Sequence, residues 1–589
     1  MAIVELLKKI VEGEVSAETE ILEKFSHDAS LFEVKPQAVV FPKDSEDIKN
    51  LVKYASDNPP LSLTARAGGT DMTGGPLSES IILDFTKHFT KLSIDVKPGL
   101  PAVSSCLPAG RSAEPGLPAV ALAEAGVWYR DFEKETLKTG WLLPSYPASK
   151  EICAIGGMIG NNAGGEKTLK YGKIENYIES LKIVLSDGNE YEFKKLTRSE
   201  LDGKITQNGQ AHQVIAGSGT IYQSSEVGLP KIDFEGEIYR EVFKLLDENY
   251  ELIKNARPKV SKNSAGYNIW NVWNKEKGEF DLAQLIVGSQ GTLGLVTETK
   301  LRLVRVRPYS GILVAFINDF TRLPELINRL LPINPISMES FDNHTFKLAL
   351  KFFWSFKKTL EAKNLFSLIL KFLPDFWMIV TRGIPKLVLL TEFEGNTQQE
   401  VDNQIKAANE KLKDFEMKTI AANTKEKASK YLAIRRESFN LLRKHVKGKR
   451  ATPFIDDVIV QPRYLPEFLP KLIEILNRYR IQYTLAGHVG DGNFHVIPLM
   501  KLNSEEEREK IFQSMDEVYK LVLSYGGSFT AEHNDGIIRT PYLKMMYGEK
   551  IYKIFEEIKK IFDPKNIFNP GKKVGGDLNY AKNHIKLSS

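Results

Sequence analysis

Two hydrophobic periods alternate along the first half of the chain. AVVFP, from Ala38, is a short apolar run; Asp44 and Ser45 then offer helix N-caps, and Ile48, Leu51, Val52 and Ala55 recur at helical spacing. LSLTA, a glycine-rich loop and IILDF follow, so the order is strand, helix, strand, loop, strand. This rhythm continues to about Val304. Beyond Val306 the pattern changes. Residues 397–450 read as helical and highly charged, Asp456 to Val460 as a strand, and Leu465 to Tyr479 as a helix. YTLAGHVGDGNFHVIPL reads as strand. A long helix, Ser504 to Tyr525, precedes the AEHNDG loop and a last helix that runs into DPKNIFNPGK.

The N-terminal MAIVELLKKIVEGEVS reads as a helix; its apolar segment is short, acids follow, and no small-residue cleavage pattern accompanies it. The expected compartment is the cytoplasm. The longest apolar stretch, Leu365 to Val380, is interrupted by Lys371, Pro374 and Asp375, so no transmembrane helix is expected. Two segments break the pattern. Residues 97–123 are rich in Pro, Ala, Gly and Ser, carry two PGLPAV-like pieces, and read as a low-complexity insertion. Residues 344–386 hold eight Lys or Arg against Glu361 and Asp375, interleaved with Phe and Trp. Two readings stand for this stretch: a surface for a membrane face or protein partner, and helices packed on their own domain with lysines turned outward.

Composition then narrows the classes. With 589 residues two to four domains are expected, and 42% hydrophobic and 26% charged residues describe an ordinary globular mix. A net charge of +5 from 80 basic and 75 acidic residues is too balanced to indicate a nucleic-acid partner. Two cysteines, Cys106 and Cys153, exclude an iron–sulfur cluster held by four thiolates of this chain, and also a disulfide scaffold.

Candidate chemistry lies in glycine and histidine. Three glycine clusters stand out: Arg66-Ala67-Gly68-Gly69-Thr70-Asp71 through Gly75; Ile155 through Gly165, which contains Gly156, Gly157 and Asn162; and Gly288-Ser289-Gln290-Gly291-Thr292-Leu293-Gly294. None matches a GxGxxG or GxxxxGK[ST] fingerprint. Paired glycines let backbone N–H groups approach phosphate closely, and three such clusters in one α/β region imply an extended, phosphate-bearing cofactor. Three of nine histidines, His488, His495 and His533, fall close together, with Glu532 beside the last. Two imidazoles and a carboxylate suit catalytic Zn²⁺ or Mn²⁺. On spacing alone, separately hydrogen-bonded histidines near a turn remain the alternative.

Together, the first cluster, NNAGG with Tyr171-Gly172 and LKIVLSDG, and GSQGTLGLVT resemble the FAD-binding domain of the vanillyl-alcohol oxidase / p-cresol methylhydroxylase flavoprotein superfamily. The later half resembles the cap of its D-2-hydroxyacid dehydrogenase branch, which includes D-lactate, glycolate and D-2-hydroxyglutarate enzymes. The resemblance covers roughly residues 28–575 and implies an α+β fold: a two-subdomain FAD-binding domain (28–305) after an N-terminal helical segment (1–27), an α+β cap (306–529), and a C-terminal segment (530–589) returning to the FAD domain. It implies FAD held noncovalently, since the first loop has no His, by Arg66, Ala67, Gly68, Gly69, Thr70, Asp71, Pro147, Ala148, Ser149, Gly156, Gly157, Asn162, Gln290, Gly291 and Val296. Gln290 replaces the family's usual Glu.

The same resemblance implies His488, His495 and Glu532 as ligands of a divalent metal, His533 as base, and Arg435 in YLAIRRESF as the cation for the substrate carboxylate. Lys262, Asn263 and Tyr267 are further candidates for the pocket. The loop departs from the family's GEHG in reading Ala531-Glu532-His533-Asn534, and Ile497 and Ile455 stand where some members carry Asn and Lys. The implied activity is metal-assisted oxidation of a small D-2-hydroxy acid to the 2-oxo acid, with hydride passing to flavin N5. Implied partners are a separate iron–sulfur protein or quinone acceptor and a second copy in a homo-oligomer, with peripheral contact at the inner membrane face through 344–386. Competing readings are an alkylglycerone-phosphate synthase-like flavoenzyme, a metal-dependent hydrolase and a non-catalytic flavin-binding protein.

Overall fold

Asp44 caps the helix Ser45–Asp57 by accepting from the backbone N–H groups of Glu46 and Asp47, and Ile48, Leu51, Val52 and Ala55 are its buried face. The computed structural model describes residues 3–96, 119–207, 233–343, 383–424, 427–428, 431–432, 435 and 448–587. The helix packs on a four-stranded sheet of β1 (Glu14–Ser16), β2 (Ala38–Phe41), β3 (Leu63–Arg66) and β4 (Ile81–Asp84), ordered β1-β2-β4-β3. β2, β4 and β3 run parallel, as the strand–helix–strand rhythm requires. The N-terminal helix is shorter than the sequence pattern predicts. It spans Ile3–Leu7, and Glu14–Ser16 becomes a strand because the Asp47 carboxylate accepts from Glu12 N and Gly13 N and turns the chain onto β2.

A second, antiparallel sheet holds β5 (Leu92–Val96), β6 (Ala119–Glu124), β7 (Ile178–Val184), β8 (Glu190–Lys194) and β9 (Leu295–Arg302), in the order β5-β6-β9-β7-β8. Of the 97–123 stretch, residues 97–118 lie outside the described residues, but Ala119–Ala123 form most of β6. Ala119, Ala121 and Ala123 all face the core at one end of the helix Ile155–Asn161. An alanine-only inward face hid the alternation that larger residues would have revealed.

The cap is an eight-stranded sheet. Its strands are β10 (Tyr309–Ile317), β11 (Ser337–Asp342), β12 (Leu387–Gly395), β13 (Lys418–Ala422), β14 (Arg450–Ala451), β15 (Val458–Ile459), β16 (Gln482–His488) and β17 (Asn493–Met500). The order is β13-β10-β12-β11-β16-β17-β14, and β15 pairs with β17. The helices Leu465–Arg478 and Glu505–Ser524 pack together in the cap core. The helical reading of 397–450 holds for Gln398–Lys411 and fails at Lys418–Ala422, which is an edge strand. Residues 344–382 of the basic-aromatic stretch lie outside the described residues. No helix among the described residues is long and apolar enough to cross a membrane.

After the cap, the chain returns to the first two sheets. Leu63 N donates to Ile567 O, Asn569 N donates to Leu63 O, and the helix Leu543–Phe562 shares a core with β7 and residues 238–293.

Candidate active site

A hairpin sets the two imidazoles. β16 ends at His488 and β17 starts at Asn493; His488 pairs with Asn493 and His495 with Ala486. Directly paired residues share a sheet face, as do residues two apart along a strand. A separation of seven across a four-residue turn therefore puts both rings on one face, with centroids 5.2 Å apart. Gly492 closes the turn at φ 77°, where an added Cβ would lie 1.9 Å from Val460 O.

Each ring is anchored through Nδ1. Glu339 on β11 sits opposite His488, and its Oε1 is 2.6 Å from His488 Nδ1. His495 Nδ1 lies 2.9 Å from the Asp456 carbonyl oxygen. Anchoring by Nδ1 leaves Nε2 of each ring for a ligand. Glu532 Oε2 stands 3.5 Å from His488 Nε2, and single donor atoms of His488, His495 and Glu532 all fall within 4.8 Å of one another. Two oriented imidazole nitrogens and a carboxylate oxygen fit a divalent cation of the Zn or Mn class.

His533 completes the cluster. Its ring stacks on His495 at 5.0 Å between centroids, and its Nδ1 is 2.9 Å from Asp456 Oδ2. The fully buried Arg539 donates to the other Asp456 oxygen at 2.6 Å. Asp457 accepts from Glu532 N, His533 N and the Thr530 hydroxyl, so it fixes the backbone that carries both side chains. Lys262 donates to Glu532 Oε1 at 2.5 Å and lies 3.3 Å from Asp491 Oδ2. Lys173 Nζ donates to Asn263 O, Ser264 Oγ and Ala531 O. Arg435, expected from the sequence as the cation for the substrate carboxylate, forms an ion pair with Glu339. Glu339, Asp456, Asp457, Lys173 and Arg539 were not candidates in the sequence; the signal available was charge inside otherwise apolar runs, as in FIDDVIV.

These contacts set the protonation states. Burial disfavours the His488 cation, but Glu339 and Glu532 outweigh it and raise its pKa to about 9. His533 is likewise opposed by burial yet raised to about 9 by Asp456 and Asp457. Burial, together with the His533 and His488 charges, pushes His495 down to about 4. Burial alone would raise Glu532, but Lys262 and His488 hold it well below the usual carboxylate range. Burial pushes Lys173 down to about 8.

The glycine clusters meet in one cleft. Arg66 to Asp71, Gly75, Gly156, Gly157, Gly160, Asn161, Gln290, Gly291 and Val296 lie on its wall. Pro147, Ala148, Ser149 and Asn162 do not; Asn162 Nδ2 instead donates to Glu175, and its neighbour Asn161 reaches Asp71 Oδ1 at 3.1 Å. Most of the second cluster forms the helix Ile155–Asn161. Added Cβ atoms at Gly157 and Gly160 would meet only Ala67 Cβ at 3.1 Å and Gln290 Cα at 3.9 Å, so the cleft is open where backbone must approach a ligand. This cradle fits an extended dinucleotide. Arg66 is engaged with the Phe25 and His27 carbonyls and stacks over the Phe25 ring.

A short bridge joins cleft and cluster. Asn534 Nδ2 donates to Gly288 O at 2.9 Å, and Gly536 N donates to Gln290 Oε1 at 2.9 Å. Glu532 and His533 thus sit within four residues of contacts to the third glycine cluster.

Comparison with known proteins now places the fold. Residues 36–194 match the family described as FAD binding domain, and residues 313–573 match FAD linked oxidases, C-terminal domain. The chain thus carries an FAD binding domain followed by a C-terminal domain of the FAD linked oxidases. The chain is 25% identical over 573 residues to D-2-hydroxyglutarate dehydrogenase of Haemophilus influenzae, covering 95% of this chain and 50% of that protein. It is 25% identical to D-lactate dehydrogenase of Archaeoglobus fulgidus, covering 91% of each. The chain spans about half the length of the D-2-hydroxyglutarate dehydrogenases it matches. The crystal structure of p-cresol methylhydroxylase with substrate bound superposes with a TM-score of 0.61 at 16% identity, covering 98% of this chain and 96% of that one, which fixes the fold. Of the site groups, His488, His495, Glu532 and His533 fall in the C-terminal match and the first two glycine clusters in the FAD-binding match; Gly288–Gly294 lies between them.

Proposed function

We propose that this chain is an FAD-dependent dehydrogenase that oxidises a D-2-hydroxy acid to the 2-oxo acid. The observation that carries the reading is the Thr530–Gly536 bridge, which puts an imidazole–carboxylate cluster and a dinucleotide cleft on consecutive residues of one segment. The names of the D-2-hydroxyglutarate and D-lactate dehydrogenase relatives support the same reaction class.

In this proposal Arg66 to Asp71, Gly156, Gly157, Gln290, Gly291 and Val296 hold FAD noncovalently, joined by Gly160 and Asn161. His488, His495 and Glu532 hold a divalent Zn or Mn ion. When bound, the flavin supplies a two-electron acceptor and the metal a Lewis acid. The chain's own residues orient the substrate and move its proton. His533, steadied through Nδ1 by Asp456, offers Nε2 to the hydroxyl proton as general base. Its neutral fraction grows as pH rises toward about 9. Arg435 acts through Glu339, holding charged the carboxylate that orients His488. Electrons then pass to an iron–sulfur protein or quinone outside this segment.

The test is anaerobic mixing of the FAD-loaded protein with paired D- and L-2-hydroxy acids, with and without a chelator. Loss of visible flavin absorbance with D-acids, abolished by chelator, is expected. A flavoprotein that no 2-hydroxy acid bleaches would end this proposal.

A further inference from the structure

The sheet that carries the histidines also carries a legible floor beside them. On one face, three cross-strand rows run in register: Glu339, His488 and Asn493; then Phe341, Ala486 and His495; then Thr484 and Ile497. Glu339, His488, Asn493, Phe341 and Thr484 are buried. Ala486, His495 and Ile497 are partly open, as is His533 stacked on His495. The side chains of His495 and His533 keep 15% and 23% of their surface accessible, so this is where a small molecule reaches the cluster. The open positions next to His495 are a methyl group and an Ile side chain.

We propose that the substrate is a D-2-hydroxy monocarboxylic acid whose remaining chain is uncharged and apolar, lying across Ala486 toward Ile497. The proposal rests on the dehydrogenase reading above and narrows it. An alkyl chain on this floor removes apolar surface from water on both sides. A second carboxylate would lose its hydration there against Ala486 and Ile497. Among the described residues, Lys262 answers Glu532 and Asp491, Arg435 answers Glu339, and Arg539 answers Asp456, while Lys173 donates to Asn263 O, Ser264 Oγ and Ala531 O. Drawing Lys262, Arg435 or Arg539 to a second substrate carboxylate would strand a buried negative charge.

The experiment compares D-2-hydroxyhexanoate with D-2-hydroxyglutarate and D-malate as reductants of the FAD- and metal-loaded protein. Binding of 2-oxohexanoate and 2-oxoglutarate is measured in parallel by isothermal titration. The expected result is kcat/KM at least about tenfold higher for the hexanoate and tighter binding of 2-oxohexanoate. Ile497→Lys should shift the ratio toward the dicarboxylates by about tenfold or more, with Ile497→Asn intermediate, and flavin stoichiometry reports that the variants fold. Equal or preferred use of D-2-hydroxyglutarate or D-malate overturns the inference while leaving the dehydrogenase reading intact. If no acid reduces the flavin, that reading fails, and tighter binding of 2-oxoglutarate than 2-oxohexanoate then overturns the inference as well.

Discussion

At the residue scale, the cluster works through partners that sit far away in sequence. His488 meets Glu339 across 149 residues, and Lys262 meets Glu532 across 270. The four donors were legible because His488, His495, Glu532 and His533 stand close together in the sequence; Glu339, Asp456 and Asp457 were marked only by lying inside apolar runs, which does not say which partner each will meet. On the proposed function, His533→Asn removes only the group that accepts the proton, and should lower the rate of flavin reduction by about 10²- to 10⁴-fold while leaving FAD bound; stopped-flow reduction with absorbance spectra of the bound flavin checks this. The proposed metal site predicts a defined pH dependence. His488 is protonated below about pH 9 in the metal-free protein, and a ligand nitrogen must be neutral. Apparent metal affinity should therefore rise about tenfold per pH unit from 7 to 9, with one proton released per ion bound. Titration calorimetry in two buffers of different ionisation enthalpy measures the release, and a pH-independent affinity would remove His488 from the ligand set.

Elements explain why neighbouring glycines have opposite meanings. In the helix Ile155–Asn161, an added Cβ at Gly156 would lie 2.8 Å from both Ala125 Cβ and Ala125 O, so this glycine lets the helix pack on the sheet. Gly160→Ala has room in the protein itself and should stabilise the cofactor-free form by about 0.5–1 kcal/mol. The same methyl projects onto the cleft wall, so FAD affinity should fall. Gly156→Ala should lose both stability and FAD. Thermal unfolding without cofactor and flavin titration separate the two cases; unchanged FAD affinity in Gly160→Ala would take Gly160 off the binding wall. The glycine clusters were readable as a cradle because only glycine admits such backbone approach. That the second is a helix, and that Asn161 rather than Asn162 lines the cleft, depends on the phase of that helix against β9.

For the whole molecule, the returning C-terminal segment decides the arrangement. Lys573, fully buried, donates to Ser264 O, Gly266 O and Asp535 Oδ2, and Asn569 donates to Gly75 O and Gln290 O. One segment thereby ties the first and third glycine clusters to the loop that carries Glu532. Lys573→Met should destabilise the protein by about 3–5 kcal/mol, because Asp535 would keep its buried charge with Gly266 N but no cation to answer it. Denaturant unfolding with and without FAD measures the loss, and a change below 1 kcal/mol would show the pair to be dispensable. By itself the sequence determined what each short stretch becomes where side chains mark the period, as in Ser45–Asp57 and the strands around His488, and it determined which donor types are available. Local periodicity follows from backbone geometry over a few residues, so it is written locally. Only the tertiary structure decided which donors meet, that an alanine face makes β6 a strand, and that an apolar floor adjoins His495. Those outcomes are set by strand register and by the path of the chain's return, and both are sums over contacts between residues hundreds of positions apart.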